Sequence, residues 1–291
     1  MRRMGIFLTG VAWLLFGLAA GTAACTSFAV YSNRTVYGAN LDWPGQPELR
    51  FRLEQGRAGA PVLFMDFAAP PGFVWMSGLN SEGLFVTLQE VPPRQYVGFS
   101  PASAVSLDGV LFEALLSAST TGEVEAMIGG RRLLSPPGFA LHSLVADRRG
   151  QTLILEPGAG APAVIRNTAN YAVMTNFYLS DFPGADPASV EGPGADRYRA
   201  AVDELSRVMG ALDLETGLGV LVRSSQDMTQ ASLLVFPGER MVYLALRRDW
   251  SRLYCIDLER RTVSTFRGFR KARKASLTAA GLLASELRRW E

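Results

Sequence analysis

Two side chains that often serve catalysis are scarce in this sequence: its 291 residues include one histidine and two cysteines. Every histidine-dependent mechanism would therefore depend on His142, which lies in an apolar run, residues 141–145, typical of a buried strand. We expect His142 to have a structural role or to line a substrate pocket. The charges nearly balance at a formal net of +2, which argues against nucleic acid as a partner.

Long apolar runs are also lacking after residue 24. The first residues differ, because Arg2 and Arg3 precede an apolar run over residues 6–18, and small residues follow at 19–24. This order predicts a secretory signal peptide over residues 1–24 and export to the periplasm or the extracellular space. The alternative is an uncleaved membrane anchor, although a membrane span needs about 20 apolar residues.

Cleavage after Ala24 would make Cys25 the first residue of the mature chain. Small residues before a cysteine also resemble a bacterial lipoprotein signal, but Thr22 stands where such signals usually carry leucine. Lipidation would consume both the thiol and the amine of Cys25. The second cysteine, Cys255, lies in a strand-like apolar run and is expected to be a small buried side chain. A Cys25–Cys255 disulfide remains open, and it would block the thiol.

An N-terminal cysteine can combine a nucleophile and a base in one residue. The thiolate attacks, and the free α-amino group, with a reference pKa of about 7.7–8.0, can accept the thiol proton near neutral pH. Such a mechanism requires no histidine, metal or organic cofactor. The sequence shows neither clustered metal-ligand spacing nor a glycine-rich phosphate loop, and we expect no cofactor.

Strand-like runs and helical runs alternate in blocks along residues 25–266. Helices are predicted from Asp108, Thr121, Asp196 and Leu214, each at the start of a periodic apolar pattern or a capping position. The remaining predicted elements are strands, apart from a loop over residues 181–195. Blocks of strands and helices predict an α+β domain with antiparallel sheets and helices outside them.

The last segment, residues 267–291, forms a basic tail with Arg267, Arg270, Lys271, Arg273 and Lys274 close together. We expect this tail to be helical. It would be either a solvated terminal helix or an amphipathic helix that makes weak contact with an anionic membrane surface.

Several short motifs occur in a fixed order after residue 24. They are Cys25-Thr26-Ser27-Phe28, Tyr37-Gly38-Ala39-Asn40-Leu41-Asp42-Trp43, Gly78-Leu79-Asn80-Ser81-Glu82-Gly83-Leu84, Leu141-His142-Ser143-Leu144-Val145-Ala146-Asp147, Val173-Met174-Thr175-Asn176 and Ala195-Asp196-Arg197-Tyr198. Together they resemble the choloylglycine hydrolase and penicillin V acylase family of N-terminal-nucleophile (Ntn) hydrolases. The resemblance covers most of the chain after residue 24 and implies a four-layer αββα fold of two antiparallel sheets flanked by helices.

The resemblance also implies roles for the matching residues. Cys25 would be the nucleophile, Asp42 would hold the thiol and amine in the reactive state, and Asn176 would donate to the oxyanion. Arg197 would place a fixed charge near the site. Gln89 stands near the family position that lines the oxyanion pocket, although a one-residue gap would shift this assignment to Glu90. Asn80 is expected to form a turn rather than to take part in catalysis.

One position departs from the family pattern. Many relatives carry an arginine where this sequence has Ala39, and that arginine lowers the pKa of the thiol. Its absence could mean a weaker nucleophile, a different preference for substrate charge, or an inactive relative. Arg34, Arg50 or Arg52 could replace it in space.

The sequence therefore predicts an exported amidase that hydrolyses linear C–N bonds of a small N-acyl compound through a Cys25 thioester. A non-catalytic binding lipoprotein and an acyltransferase are the alternatives. Five aromatic residues near the early turns could line an acyl pocket or belong to the core: Trp43, Phe64, Phe67, Phe73 and Trp75. An oligomer is possible.

Overall fold

The computed structural model describes residues 24–94, 104–136, 139–158, 163–167 and 169–290. The predicted signal peptide lies outside these residues except for Ala24. The first strands are β1 (Thr26–Tyr31), β2 (Thr35–Asp42), β3 (Leu49–Gln55), β4 (Pro61–Ala69), β5 (Gly72–Asn80), β6 (Phe85–Glu90), β7 (Ala104–Ser106), β8 (Arg132–Leu134) and β9 (Leu141–Ala146). The later strands are β10 (Thr152–Glu156), β11 (Ala163–Asn167), β12 (Tyr171–Met174), β13 (Thr229–Phe236), β14 (Met241–Leu246), β15 (Leu253–Asp257), β16 (Thr262–Arg267), β17 (Lys274–Ser276) and β18 (Leu282–Leu283).

Two eight-stranded antiparallel sheets contain all but two of these strands. The first sheet has the order β12-β1-β2-β13-β14-β15-β16-β17, and the second has the order β11-β10-β9-β6-β5-β4-β3-β18. The strands β7 and β8 form a separate parallel pair. The sheets pack face to face through apolar side chains, including Tyr37 of the first sheet, whose ring stacks on Phe85 of the second with 5.3 Å between centroids.

Helices cover the outer faces of both sheets. Two of them, α1 (Leu107–Ser117) and α2 (Thr121–Ile128), lie on the second sheet, and α3 (Ala195–Val208) and α4 (Leu214–Arg223) lie on the first. Side chains set where two of them begin. The Thr120 hydroxyl and the Glu123 carboxylate cap α2 reciprocally, and Asp213 with Thr216 does the same for α4. The α+β, four-layer αββα prediction is confirmed.

The pairing of β1 with β2 in the first sheet requires a glycine. Phe28 of β1 lies opposite Gly38 of β2, and a Cβ at Gly38 would come within 2.2 Å of the Phe28 ring. Phe28 can therefore fill the space between this sheet and the helices, where it packs with Val202 and Leu205 of α3. This packing fixes the pairing of β1 with β2, which carry Cys25 and Asp42 at neighbouring ends.

The prediction of a helical tail is wrong for most of its length. Only α5 (Ala284–Leu287) is helical. Before it, β17 pairs with β16 at the edge of the first sheet, and β18 pairs with β3 at the edge of the second. Edge strands leave unpaired backbone donors and acceptors, and pairing with them outweighs the local helical preference of the tail.

Candidate active site

The position of Cys25 depends on the pairing of β1 with both of its neighbours. Thr26 lies opposite Asn40 of β2, which brings Cys25 beside Asp42 at the end of that strand. The Cys25 thiol lies 3.8 Å from the Asp42 carbonyl oxygen, and the Ala24 N–H donates to the same oxygen at 3.1 Å. On the other side of β1, Ser27 lies opposite Met174, so β12 delivers Asn176 to the same end of the sheet.

The Arg197 guanidinium joins the residues that the sequence predicts to form the site. Its Nη1 donates to the Cys25 carbonyl oxygen at 2.5 Å and to Thr26 Oγ1 at 2.8 Å, and its Nη2 donates to Asn176 Oδ1 at 2.7 Å. Nη1 also lies 3.9 Å from Asp42 Oδ2. We call these five residues the Arg197 cluster. All of them are at least 95% buried.

The turn before α3 positions this arginine. Gly194 has a φ of +80°, a left-handed conformation that favours glycine. A Cβ there would lie 2.4 Å from Arg197 Nη2. The guanidinium therefore folds back over Gly194, from the first turn of the helix toward β1.

Asp42 is the carboxylate of the cluster and is fully buried. Burial raises its pKa from 3.8 to about 6, against hydrogen bonds from Thr229 and Gln226 and the charges of Arg197 and Arg248, which lower it. Thr229 Oγ1 donates to Asp42 Oδ1 at 2.5 Å, and Gln226 Nε2 donates to Oδ2 at 2.9 Å.

Gln226 and Thr229 are absent from the sequence-predicted site. Gln226 lies in a polar turn after α4, and Thr229 begins β13, which pairs with β2. The Gln226 Nε2 atom donates at 3.0 Å to the Ala24 carbonyl oxygen as well as to Asp42. One amide thus contacts both the carboxylate of the cluster and the carbonyl of the peptide bond that precedes Cys25.

The thiol is covered in this uncleaved chain, where Cys25 is 2% exposed. Burial, followed by the charge of Asp42, raises the pKa of Cys25 to about 12, and the Arg197 charge acts in the opposite direction. The thiol is therefore protonated at neutral pH while residues precede it.

Asn176 is oriented at both ends of its amide. Its Oδ1 accepts from Arg197, and its Nδ2 donates to the Glu90 carbonyl oxygen at 2.7 Å. Glu90, the alternative to Gln89, therefore contacts the cluster through its backbone, and its charge also acts on the Cys25 thiol.

Gln89 connects the two sheets and is not part of the Arg197 cluster. In the amide orientation that satisfies both ends, its nitrogen donates to the Thr175 carbonyl at 3.1 Å and its oxygen accepts from the Ser27 N–H at 3.0 Å. Gln89 is 1% exposed and joins the two sheets. These bonds join Gln89 to Ser27 and Thr175 rather than to Cys25 or Asn176.

His142 lies beside this junction and is fully buried, as expected for a residue of a buried strand. Its Nε2 lies 2.6 Å from the Thr175 carbonyl oxygen, and its Nδ1 lies 3.8 Å from Glu156 Oε1, too far for a hydrogen bond. Although burial acts to raise the pKa of Glu156, interactions with His142 and Ser180 hold it below its usual value. These contacts support the segment that leads to Asn176.

Ala39, the departure from the family pattern, is buried between Ser27 and Leu233 of the neighbouring strands. The three arginines proposed to replace the missing one bind elsewhere. Arg34 pairs with Glu239. Arg50 and Arg52 both donate to Asp66.

Arg50 and Arg52 belong to a separate cluster of ion pairs on β3 and β4, in which Asp66 is buried. Arg50 and Arg52 bind one oxygen of Asp66, and Arg52 also pairs with Glu54. We call these four residues the Asp66 cluster. The Arg52 guanidinium lies 4.7 Å from the centre of the Phe64 ring, so aromatic packing accompanies the ion pairs.

Other expectations have simple outcomes. Both cysteines are free and buried, so the Cys25–Cys255 disulfide is not formed. Asn80 forms its turn, since its Oδ1 accepts from the N–H groups of Glu82 and Leu84.

Within the described ranges, no three His, Cys, Asp or Glu side chains are grouped so that they could hold a metal ion. No helix in the same ranges is long and apolar enough to cross a membrane.

Comparison with known proteins gives a clear answer on the fold. No protein-family model and no curated protein sequence matches the chain. Solved structures do match. An Arg-to-Leu variant of a conjugated bile acid hydrolase from Clostridium perfringens superposes with a TM-score of 0.62, at 14% identity over 88% of this chain and 98% of that chain.

Two further solved structures agree. The penicillin V acylase from Agrobacterium tumefaciens gives a TM-score of 0.62 at 15% identity, over 88% of this chain and 96% of its own. A Cys-to-Ala mutant of the Clostridium perfringens hydrolase gives 0.58 at 15% identity, over 84% and 96%. The chain has the Ntn-hydrolase fold. At these identities the likeness establishes the fold, which agrees with the resemblance read from the sequence motifs.

Proposed function

We propose that the chain is an exported amidase that hydrolyses linear C–N bonds of small N-acyl compounds, with Cys25 as the nucleophile once residues 1–24 are removed. The observation that carries this proposal is the convergence on Arg197 of Cys25, Asp42 and Asn176, which come from three parts of the sequence. The names of the two structural neighbours, a hydrolase of conjugated bile acid and an acylase of penicillin V, support amide substrates.

Cleavage before Cys25 is the activating step of this proposal. While Ala24 is attached, the nitrogen of Cys25 belongs to an amide and the thiol is buried and protonated. Removing residues 1–24 creates an α-amine, whose pKa of about 7.7–8.0 suits a general base near neutral pH. It also frees Gln226 from the Ala24 carbonyl, leaving the Asp42 carboxylate as its partner.

The reaction then follows from the positions of the groups. The α-amine takes the thiol proton, and the thiolate sulfur attacks the carbonyl carbon of the substrate amide. The resulting oxyanion accepts a hydrogen bond from the second N–H of the Asn176 Nδ2 group, which Arg197 holds in place. Collapse breaks the C–N bond, the protonated amine gives its proton to the leaving nitrogen, and a Cys25 thioester remains.

Hydrolysis of the thioester uses the same groups. The α-amine takes a proton from water, the hydroxide oxygen attacks the thioester carbonyl, and the carbon–sulfur bond breaks to release the acid and restore the thiol. If an amine replaces water as the attacking group, the same intermediate transfers its acyl group. An acyltransferase is therefore the variant of this function with the smallest change in chemistry.

The aromatic residues near the early turns suggest where an acyl chain could lie. Trp43 directly follows Asp42, and its ring lies 4.4 Å from that of Phe67, centroid to centroid. Phe64 and Phe67 are fully buried and belong to the core, whereas Phe73 is 37% exposed. Half-buried Trp43 is thus the best placed of the five to contact an apolar acyl group beside Cys25.

One observation favours a second candidate, a non-catalytic binding lipoprotein on the same fold. Ala39 leaves Arg197 as the one arginine whose charge acts on the Cys25 thiol among the described residues. A weak nucleophile at a lipoprotein-like cleavage site would suit such a protein.

N-terminal mass spectrometry of the exported protein separates the candidates. A free α-amine on Cys25 supports the amidase. A diacylglyceryl group on Cys25, or an intact Met1, rules it out.

A Cys25→Ser variant tests the chemistry itself on a panel of chromogenic N-acyl amides. We expect hydrolysis to fall by about 10³-fold or more while the thermal unfolding midpoint stays unchanged. Equal hydrolysis by this variant would exclude the thioester mechanism, and the panel would identify the acyl and amine groups that the enzyme accepts.

A further inference from the structure

A second group of arginines surrounds a surface cavity of about 360 Å³ away from the Arg197 cluster. The cavity is lined by Leu246, Arg247, Asp249, Arg252, Tyr254 and Arg288. Three guanidinium groups therefore face one carboxylate. The volume is within the range of small-molecule sites, and the lining combines charge with an apolar and an aromatic side chain.

Two distant parts of the chain build this cavity. Residues 247–252 form the connection between β14 and β15, and Arg288 directly follows α5 in the tail. The Tyr254 hydroxyl donates to the Leu287 carbonyl oxygen at 2.8 Å, which holds Arg288 at the cavity. Part of the basic tail is thus fixed in the fold and contributes a charge to a concave surface.

Two of the three arginines at the cavity have no carboxylate within ion-pair distance. Arg252 Nε lies 3.7 Å from Asp249 Oδ2, whereas Arg247 and Arg288 form no ion pair or side-chain hydrogen bond with another described residue. Burial, followed by the charge of Arg288, lowers the pKa of Arg247, while the charge of Glu48 raises it. Glu48 also interacts with Arg288 by charge, and its Oε1 accepts from the N–H groups of Leu49 and Ser285.

The backbone of this connection favours glycine. Arg247 and Arg248 have φ angles of +51° and +60°, a left-handed conformation that disfavours residues other than glycine. Arg240 and Arg261 have the same conformation in the turns between β13 and β14 and between β15 and β16. The conformation therefore belongs to these hairpin turns and does not by itself indicate a site.

We propose that this cavity binds an oxyanion of the phosphate, sulfonate or carboxylate type, carried by a small organic group. Arg247 and Arg288 contact the anion, because both line the cavity, form no ion pair with a described residue and present several N–H donors. This inference does not depend on the proposed amidase activity.

Hydrogen bonds connect the cavity indirectly to the segment that follows Asp42. The Arg247 N–H donates to the Gln230 carbonyl oxygen at 2.9 Å, and the Gln230 amide donates to the carbonyl oxygens of Trp43 and Gly45. An anion bound at Arg247 would therefore contact the element that also supports the segment beside Asp42.

Isothermal titration calorimetry of the exported protein with inorganic phosphate tests the site. We expect binding by the unaltered protein, and a Kd raised about tenfold or more in the variant Arg247→Gln/Arg288→Gln, which loses charge-assisted hydrogen bonds. The matched control, Arg270→Gln/Lys271→Gln, removes the same charge from exposed residues of the tail and should bind as the unaltered protein does. No binding by the unaltered protein, or an equal loss in the control, would overturn the proposal.

A single substitution at Arg247 tests the site even if the double variant fails to fold. Arg247→Gly removes the guanidinium and relieves the left-handed strain, so its thermal midpoint should equal or exceed that of the unaltered protein while phosphate binding weakens. Unchanged binding would overturn the assignment to Arg247. Cosedimentation with phosphatidylglycerol vesicles identifies the source of the anion. If the unaltered protein sediments with the vesicles and the Arg247→Gln/Arg288→Gln variant alone does not, the anion is a lipid headgroup. If the unaltered protein does not sediment, the anion is soluble.

Discussion

The Arg197 cluster and the Asp66 cluster both bury arginine against a carboxylate, but they use the guanidinium differently. In the Asp66 cluster, two arginines share one carboxylate oxygen, and their ion pairs lie within β3 and β4. In the Arg197 cluster, one arginine reaches a backbone carbonyl, a hydroxyl and an amide from β1 and the segment after β12, and lies beside the Asp42 carboxylate. Burial of an ion pair does not by itself indicate a site.

The contrast teaches what does distinguish the candidate site. The Arg197 cluster contains a thiol at the start of a strand, a carboxylate with a raised pKa and an amide held at both ends. The Asp66 cluster contains charged side chains that pack against aromatic rings, and it has no thiol. The following predictions test this difference, beginning with the largest expected effect on activity.

Replacing Arg197 or Arg52 by lysine should distinguish the two clusters most strongly. Arg197→Lys keeps the charge but loses the fork that contacts Cys25, Thr26 and Asn176 together, so we expect kcat to fall by about 100-fold. Arg52→Lys should leave kcat unchanged and lower the thermal midpoint. Steady-state kinetics with an N-acyl amide and thermal unfolding measure both effects. Similar kcat losses in the two variants would remove the distinction between the clusters.

A glycine pair tests whether the position of Arg197 matters apart from its chemistry. Gly194→Ala would push Arg197 Nη2 away, and we expect kcat to fall about tenfold. Gly210 also has a left-handed φ, of +90°, but a Cβ there meets no atom within 4 Å. Both substitutions place alanine in a left-handed conformation, and each should cost ~1–2 kcal/mol in the free energy of unfolding. Gly210→Ala should leave kcat unchanged. Equal kcat values in the two variants would contradict the positioning role of Gly194.

The pKa of Asp42 predicts a pH dependence. If ionised Asp42 is required, activity should fall as the pH drops through about 6. Gln226→Ala removes a hydrogen bond that favours the ionised form, so this acid limb should move to higher pH. Gln230→Ala, which does not contact Asp42, should leave it in place. The pH profile of kcat measures this shift, and an unmoved limb in Gln226→Ala would exclude the interaction from catalysis.

The same group should affect stability with the opposite sign from a usual salt-bridged carboxylate. Because the folded pKa, about 6, exceeds the reference value of 3.8, the folded chain binds more protons between these values. The Asp42 contribution to the free energy of unfolding is full below about pH 4 and is lost as the pH rises through about 6. Asp42→Asn should abolish this slope in urea unfolding measured at several pH values.

The smallest effect on activity is expected at Asp66. Asp66→Asn weakens two charge-assisted hydrogen bonds in a residue that is 1% exposed, which should cost about 1.5–3 kcal/mol in the free energy of unfolding. Activity of the folded variant should equal that of the unaltered protein. A loss of kcat larger than the loss of folded protein would show that the Asp66 cluster also supports the site.

The sequence predicts much of the fold where local patterns are strong. The apolar runs at residues 141–146, 171–174 and 241–246 predict the bounds of β9, β12 and β14, because each run is short and limited by turn residues. By contrast, the sequence pattern does not predict β4 (Pro61–Ala69). Its apolar residues run continuously and are followed by Pro70 and Pro71, so it lacks the alternation of a half-exposed strand.

The candidate site, like the fold, can be predicted only in part from the sequence. The family resemblance selects Cys25, Asp42, Asn176 and Arg197, which the structure brings together. Gln226 could not be found in this way, because its turn resembles an ordinary polar loop. It reaches Asp42 only through the pairing of β2 with β13, a contact between residues 184 positions apart.

The edge positions of β17 and β18 have a consequence for biosynthesis. Each large sheet receives its outermost strand from residues 274–283, so neither sheet can be completed before that stretch has been synthesised. Until then, β16 and β3 each keep an edge with unpaired backbone donors and acceptors. We therefore expect the incomplete chain to associate edge to edge more readily than the finished protein.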